Sequence, residues 1–220
     1  MKLAPLAYEQ GVFINCPFDE DYRPLFEAVA FAVYECGFVP HSALEVDDSS
    51  QVRIEKITTA IRDCRLAVHD ISRVELDPAT LLPRFNMPLE LGIFLGAKSF
   101  GAGMQKRKAC VILDTERYRY AKFISGIAGQ DIRAHEADPG RAIEQVRAFL
   151  CTHIPPGTLL PSGPMIIERY AEFRASLPDS CRLVRLDPAR LSFRDLTTFI
   201  TGWLDDHPLM ISHRDTEAQR

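Results

Sequence analysis

Five short apolar runs, separated by segments with helical periodicity, constrain this chain more than any other feature of its sequence. They are Gly11-Val12-Phe13-Ile14-Asn15, Phe38-Val39-Pro40-His41, Leu66 to Ile71, Ala109-Cys110-Val111-Ile112-Leu113, and a weaker run from Asp131 to Ala134. Strands that are apolar at nearly every position must be covered on both faces, which is the condition of a parallel sheet. Helices supply the cover. Leu25, Phe26, Val29, Ala30, Val33 and Tyr34 recur at helical spacing from Tyr22 to Cys36, stopped by Gly37. Val52, Ile54, Ile57, Ala60 and Ile61 form the apolar side of a second helix from Gln51 to Cys64. A third begins near Asn86 and fades near Lys98, and a fourth spans Ala142 to Leu150. Repeated alternation of this kind predicts a flavodoxin-like, doubly wound α/β domain over residues 8–154, with a parallel sheet of about five strands.

Past Ile154 the texture changes. Pro155-Pro156-Gly157 and Pro161-Ser162-Gly163-Pro164 break the chain twice. Two helices are expected beyond them, Met165 to Ala175 and Ser192 to Leu204, with a short strand at Arg182 to Val184. Ser192 suits an N-cap, and Phe193, Leu196, Phe199, Ile200 and Trp203 form the side that helix buries. Residues 155–206 therefore read as a C-terminal helical appendage, and residues 207–220 as a frayed tail.

Charge and composition exclude several classes. A net charge of -4 gives no reason to expect general binding of nucleic acid. The basic turn Gln105-Lys106-Arg107-Lys108 reads as a solvated loop. No span approaches the roughly 18 consecutive apolar residues of a membrane helix, and the first residues lack the apolar core of a secretory signal. The six cysteines lie far apart, mostly in apolar runs, with neither metal-ligand nor redox-motif spacing. Buried, reduced thiols in a cytoplasmic protein follow, with no metal expected. Walker-type, Gly-x-Gly-x-x-Gly and Gly-x-Ser-x-Gly signatures are absent, which counts against a nucleoside-triphosphatase, an ordinary dehydrogenase and a serine hydrolase.

Ligands of doubly wound sheets bind outside the carboxyl ends of the strands. That rule collects Asn15, Pro17 and Phe18 after the first strand, Asp47 and Asp48 after the second, Asp70 after the third and Asp114 after the fourth. Arg53, beside Lys56, stands at the start of the second helix, where a cation and free amides suit a phosphate or carboxylate; a solvated charged turn is the plainer alternative. The run Phe18 to Tyr22 either caps the first helix by Asp19 or Asp21 and also places an aromatic near a base, or, as the plainer alternative, caps the helix alone. Ser125 to Asp131 forms a loop able to cover the site or to reach a neighbour.

Two carboxylates carry the chemical expectation. With Asn86 as N-cap, Glu90 falls in the first helical turn, where the dipole favours its ionised form. There it either attacks or stabilises a sugar C1′, or merely satisfies the helix start. Asp70 either orients a hydroxyl or holds an Asx-turn. His69, alternating with Asp70, should point to the other sheet face and pack in the core.

Val12-Phe13-Ile14-Asn15-Cys16-Pro17-Phe18-Asp19, then His69-Asp70-Ile71-Ser72, then Met87-Pro88-Leu89-Glu90-Leu91-Gly92 resembles the nucleoside 2-deoxyribosyltransferase-like group, which is structurally similar to Toll/interleukin-1 receptor (TIR) domains. The resemblance covers roughly residues 10–150. It implies that Glu90 is the nucleophile or oxocarbenium stabiliser and that Asp70 assists; the residues collected at the strand ends and helix starts, Asn15, Pro17, Phe18, Asp48, Arg53, Asn86 and Asp114, would then surround the substrate. It implies a small nucleoside or nucleotide ligand, with NAD or a nucleotide entering as substrate and no separate cofactor, and it allows a homo-oligomer. The transferases carry an acidic residue and a glycine-threonine pair ahead of the glutamate; here Leu82-Pro83-Arg84-Phe85-Asn86 stands instead. Two readings follow: an enzyme cleaving an N-glycosidic bond, or a non-catalytic TIR-like module that senses a nucleotide-derived signal or assembles with itself.

Overall fold

Residues 6–45, 48–76 and 81–209 are described by the computed structural model of the chain. Five strands form one sheet: β1 (Gly11–Asn15), β2 (Val39–Ser42), β3 (Leu66–Asp70), β4 (Ala109–Asp114) and β5 (Ile132–Ala134). Their order is β2-β1-β3-β4-β5 and every pairing is parallel. This is the flavodoxin-like order, and its direction reverses between β1 and β3, where such folds open a crevice.

Alternation along the strands divides the core. Val12, Ile14, Leu66, Val68, Val111 and Leu113 face α2 (Arg23–Glu35) and α5 (Pro139–Cys151). Phe13 and Ala67 face α3 (Arg53–Asp63) and α4 (Asn86–Phe100). A five-residue helix, α1 (Leu6–Gln10), precedes β1 and was not legible in the sequence. It leads into Gly11, where a Cβ would lie 3.1 Å from Cys64 Sγ and 3.2 Å from the Ala7 carbonyl oxygen, so a side chain there would have to push those neighbours back by a few tenths of an ångström. Gly37 ends α2 with φ of 77°, a left-handed conformation that closes a helix readily only without a side chain.

The C-terminal appendage is a second helical layer over α2. It consists of α6 (Gly163–Leu183) and α7 (Phe193–Asp206). Phe31 of α2 stacks against Phe173 at 5.4 Å and meets Trp203 at 5.8 Å. Ser192 caps α7 in a full capping box with Asp195. Two buried acids anchor the layer: Glu27 pairs with Arg23 and Arg174, and Glu35 with Arg169.

Several expectations are corrected. α6 continues through Pro178 to Leu183, so no strand forms at 182–184. Leu177 and Cys181 extend its buried row beyond Tyr170 and Phe173, and that burial outweighs the lost backbone hydrogen bond. Val52 and Ile54 are 58% and 40% exposed; α3 buries only Ile57 and Ile61. Lys108 is not solvated. It lies buried, donates to the carbonyls of Ile61 and Cys64 at the end of α3, and stands over the rings of Tyr8 and Phe94. Burial holds its ammonium down to about 8. Cys16, Cys36, Cys64 and Cys181 are buried free thiols, but Cys151 is exposed. His207 stacks on Trp203 at 4.3 Å, whereas residues 210–220 of the expected tail lie outside the described residues. Among the described residues no helix is long and apolar enough to cross a membrane.

Candidate functional site

The crevice between β1 and β3 gathers most of the expected polar residues, with roles that differ. Asp70, 1% exposed, ends β3. Its Oδ1 accepts from the Ser72 backbone at 2.8 Å, the expected Asx-turn. Its Oδ2 accepts from the Tyr22 hydroxyl at 2.6 Å, and His135 Nε2 lies 3.0 Å away, off the line of a straight hydrogen bond. His135 Nδ1 accepts from the Ala137 backbone at 3.0 Å, which leaves the ring proton on Nε2, toward Asp70. Glu136 and Ala137 both adopt left-handed backbone (φ 52° and 57°) in making that turn. Such conformations cost on the order of 1 kcal/mol each, offset by the bond they give to Nδ1 of a buried imidazole. Burial first, then the charge of Asp70, raises the Tyr22 phenol well above its ordinary value.

Glu90 lies in a different setting. Phe85, not Asn86, occupies the N-cap position of α4, and it offers no side-chain cap. Asn86 is the first helical residue and is exposed, so Glu90 is one turn further in, with no acidic residue in the first turn. The expectation of a dipole-stabilised, ionised first-turn glutamate is therefore corrected. Glu90 is 4% exposed and its Oε2 is buried without a hydrogen-bond partner. Burial raises its pKa to about 7, opposed by the positive charge of Arg53. Arg53 itself is exposed at the start of α3.

Cys16 links the two carboxylates. Its buried thiol is pushed well up, first by burial, then by Asp70, Glu90 and Asp19, so it stands within electrostatic reach of all three. Asn15, 1% exposed at the end of β1, donates from Nδ2 to the Met87 carbonyl at 2.9 Å and lies 2.9 Å from His69 Nδ1. It ties β1 to β3 and to the first turn of α4. His69 is packed as expected, edge-on to Phe13 and Phe94, and burial holds its pKa down to about 3.

The remaining residues fall around or away from this centre. Asp114 is buried at the end of β4, and Oδ1 accepts from the Thr115 backbone and from Arg119 Nε at 2.8 Å. Arg119 also donates to the carbonyls of Ile71 and Ser72, binding the β4 end to the turn after β3. Asp48 closes its own turn, accepting from the Ser50 backbone and hydroxyl, and those bonds lower its pKa. Its neighbour Asp47 lies outside the described residues. Pro17 and Phe18 line a cleft of about 120 Å³ shared with Arg23, Phe26, Phe193 and Leu196; Glu90 and Asp70 are not in its walls. Phe18 packs edge-on to Phe26 at 5.7 Å.

Asp19 caps the turn ahead of α2 by accepting from the Tyr22 backbone, while Tyr22 takes the N-cap position. The same carboxylate receives Arg73 at 3.2 Å and Arg84 at 3.1 Å. Both arginines belong to the connection between β3 and α4, so that connection is clamped to the loop after β1. The loop at Ser125 to Asp131 folds into a turn at Ser125–Ile127, and Ile127 packs with Phe123 and Ile124 in the cluster of Ile132, at the start of β5.

Sequence reasoning missed His135, the packing partner of Asp70. The signal was present: His135 follows β5 directly, and the strand-end rule that selected Asp70 and Asp114 applies to it equally. Tyr22 was placed only as a helix boundary, because nothing in its local sequence reports a contact 48 residues away. Comparison with protein-family models, curated proteins and solved structures returned no match to this chain.

Proposed function

We propose that this protein cleaves the N-glycosidic bond of a nucleoside, a nucleotide or NAD, with Glu90 as the reacting carboxylate. The observation that carries this reading is the Glu90 side chain: buried at the β1–β3 crevice, unpartnered at Oε2, and held at a pKa of about 7. Titratable groups tuned toward working pH by burial concentrate at reactive sites. Asp114 Oδ2 also lacks a partner, but its other oxygen is already held by Arg119 and Thr115.

In the reaction, ionised Glu90 attacks C1′ or balances the positive charge that grows there as the C1′–N bond breaks. The bond electrons leave with the base: the base of a nucleoside or nucleotide takes up a proton, whereas the nicotinamide of NAD leaves neutral. Water then adds at C1′ with loss of its own proton, and where Glu90 had bonded to C1′ it is displaced as the free carboxylate. Asp70 acts as a positioning residue. Both its oxygens are engaged, so it holds Tyr22, the turn at Ser72 and the crevice wall in place. Turnover should rise with pH through about 7 and level off above, because the carboxylate must be ionised. Purified protein incubated with NAD and a nucleotide panel, beside Glu90→Gln, tests the assignment by release of free base. Release undiminished in the variant rejects it.

One observation favours a second reading. Neither Glu90 nor Asp70 lines the clefts found around α2, beside α3, beside β5 or at the α5–α6 junction. A non-catalytic module that senses a nucleotide-derived signal would show ligand-dependent stabilisation without turnover. At ligand about 100-fold above Kd, roughly 2.7 kcal/mol is expected. No thermal shift at saturating nucleotide removes that reading.

A further inference from the structure

The outward side of α4 is mostly apolar, with exposed Ser99 its polar residue. At about 100° per residue, Phe85, Leu89, Gly92, Gly96 and Phe100 fall on one side, opposite the buried Met87, Leu91 and Phe94. Phe85 is 64% exposed, Leu89 56% and Phe100 92%. The charged residues of α4 are Glu90 and Lys98, and neither lies on this side. A solvated helix face normally carries Lys, Glu or other polar side chains, and a helix apolar all round is one that is covered all round. Gly92 and Gly96 sharpen the point. Each costs about 0.5–1 kcal/mol relative to alanine within a helix, and a Cβ at either would meet no atom of its own chain within 4 Å. Intramolecular packing therefore gives no reason for glycine at either position; close approach by another surface does.

We infer that two copies of this chain pair through the exposed face of α4, crossing antiparallel over Gly92 and Gly96. A two-fold axis midway between those glycines sets Gly92 of one copy over Gly96 of the other. It also brings each Phe100 to Pro88 and Leu89 of the opposite copy, so the large side chains fall beside the flat groove and not on one another. Such an interface is isologous and closes on itself.

Area and charge favour a second copy as the occupant. With Leu81 and Leu82 (69% and 65% exposed) in the loop entering α4, the apolar side chains offer on the order of 600 Å². A standard stable interface buries about 800 Å² per partner, which glycine backbone and Pro88 would approach. The face is uncharged, so two identical copies meet without like-charge repulsion, whereas a distinct acidic or basic partner finds no complementary charge to select it.

Size exclusion with light scattering across a concentration series tests the pairing. The wild-type chain should reach twice its mass of 24.8 kDa. Leu89→Glu combined with Phe100→Glu should halve that mass while leaving circular dichroism unchanged. If the double variant misfolds, Gly92→Gln serves instead: its side chain enters open space in one copy and blocks the crossing in two. A single-chain mass at every concentration overturns the inference, as does a dimer that persists in a folded variant. Mass is read without substrate, so the outcome is independent of Glu90 chemistry.

Discussion

The end of β3 and the second turn of α4 each bury a carboxylate, and the fold treats the two in opposite ways. Asp70 accepts from a phenol and a backbone amide and faces an imidazole, all within 3.0 Å. Glu90 has no partner at Oε2, and its burial is opposed by the positive charge of Arg53. Equal burial thus has unequal consequences. A buried carboxylate with donors is a structural joint, while one without them holds its proton to near-neutral pH and can exchange it during a reaction.

The comparison breaks first at Asp70. Asp70→Ala leaves the Tyr22 hydroxyl and the Ser72 amide buried and unpaired, and should cost about 2–5 kcal/mol in urea unfolding, at roughly 1–3 kcal/mol for each unsatisfied buried group. Loss of less than about 1 kcal/mol would show that these contacts are not the joint described here.

Glu90→Gln should do the reverse. The folded pKa of about 7 lies above the ordinary carboxylate value of 4.5. Folding therefore favours the protonated acid: its contribution is fully present below pH 4.5 and is lost as pH rises through about 7. The wild type should lose on the order of 3 kcal/mol relative to the variant between acid and mildly alkaline pH. Urea melts of both proteins at pH 5 and pH 8 measure the difference. A constant difference would mean that Glu90 is ionised and satisfied at both.

Arg53→Gln makes the smallest change and sharpens the comparison most finely. Its charge lowers the Glu90 pKa, so removal should move the midpoint of the pH–turnover profile, or of the Glu90 carboxyl resonance, upward. Across an exposed, screened path the shift should be a few tenths of a unit. A downward shift would contradict the placement of Arg53 beside Glu90.

How legible these features were depends on how local their causes are. β1, β3 and β4 were readable because a doubly covered strand must be apolar at consecutive positions, and β1 begins and ends at the residues expected; the edge strands β2 and β5, less fully covered, gave shorter and weaker runs. Ser192 was readable as a cap because its partner, Asp195, is three residues away. The α6 boundary was not, because burial of Leu177 and Cys181 in the main core carries the helix past Pro178. Lys108 misled for the same reason, since the α3 carbonyls that bury it lie over forty residues upstream.

By itself, then, the sequence determined the alternation of strands and helices, the parallel sheet that alternation demands, and the collection of Asp70, Asn15 and Asp114 at its carboxyl edge. Tertiary structure alone decided which of those groups is used up in holding the edge together and which is left unpaired. Hydrogen-bond supply to a buried carboxylate comes from whatever packs beside it: the Tyr22 hydroxyl and the Ser72 amide supply Asp70, whereas Glu90 Oε2 receives no bond. Apolar periodicity belongs to one segment and can be read along it; satisfaction of a buried charge belongs to the segments that surround it.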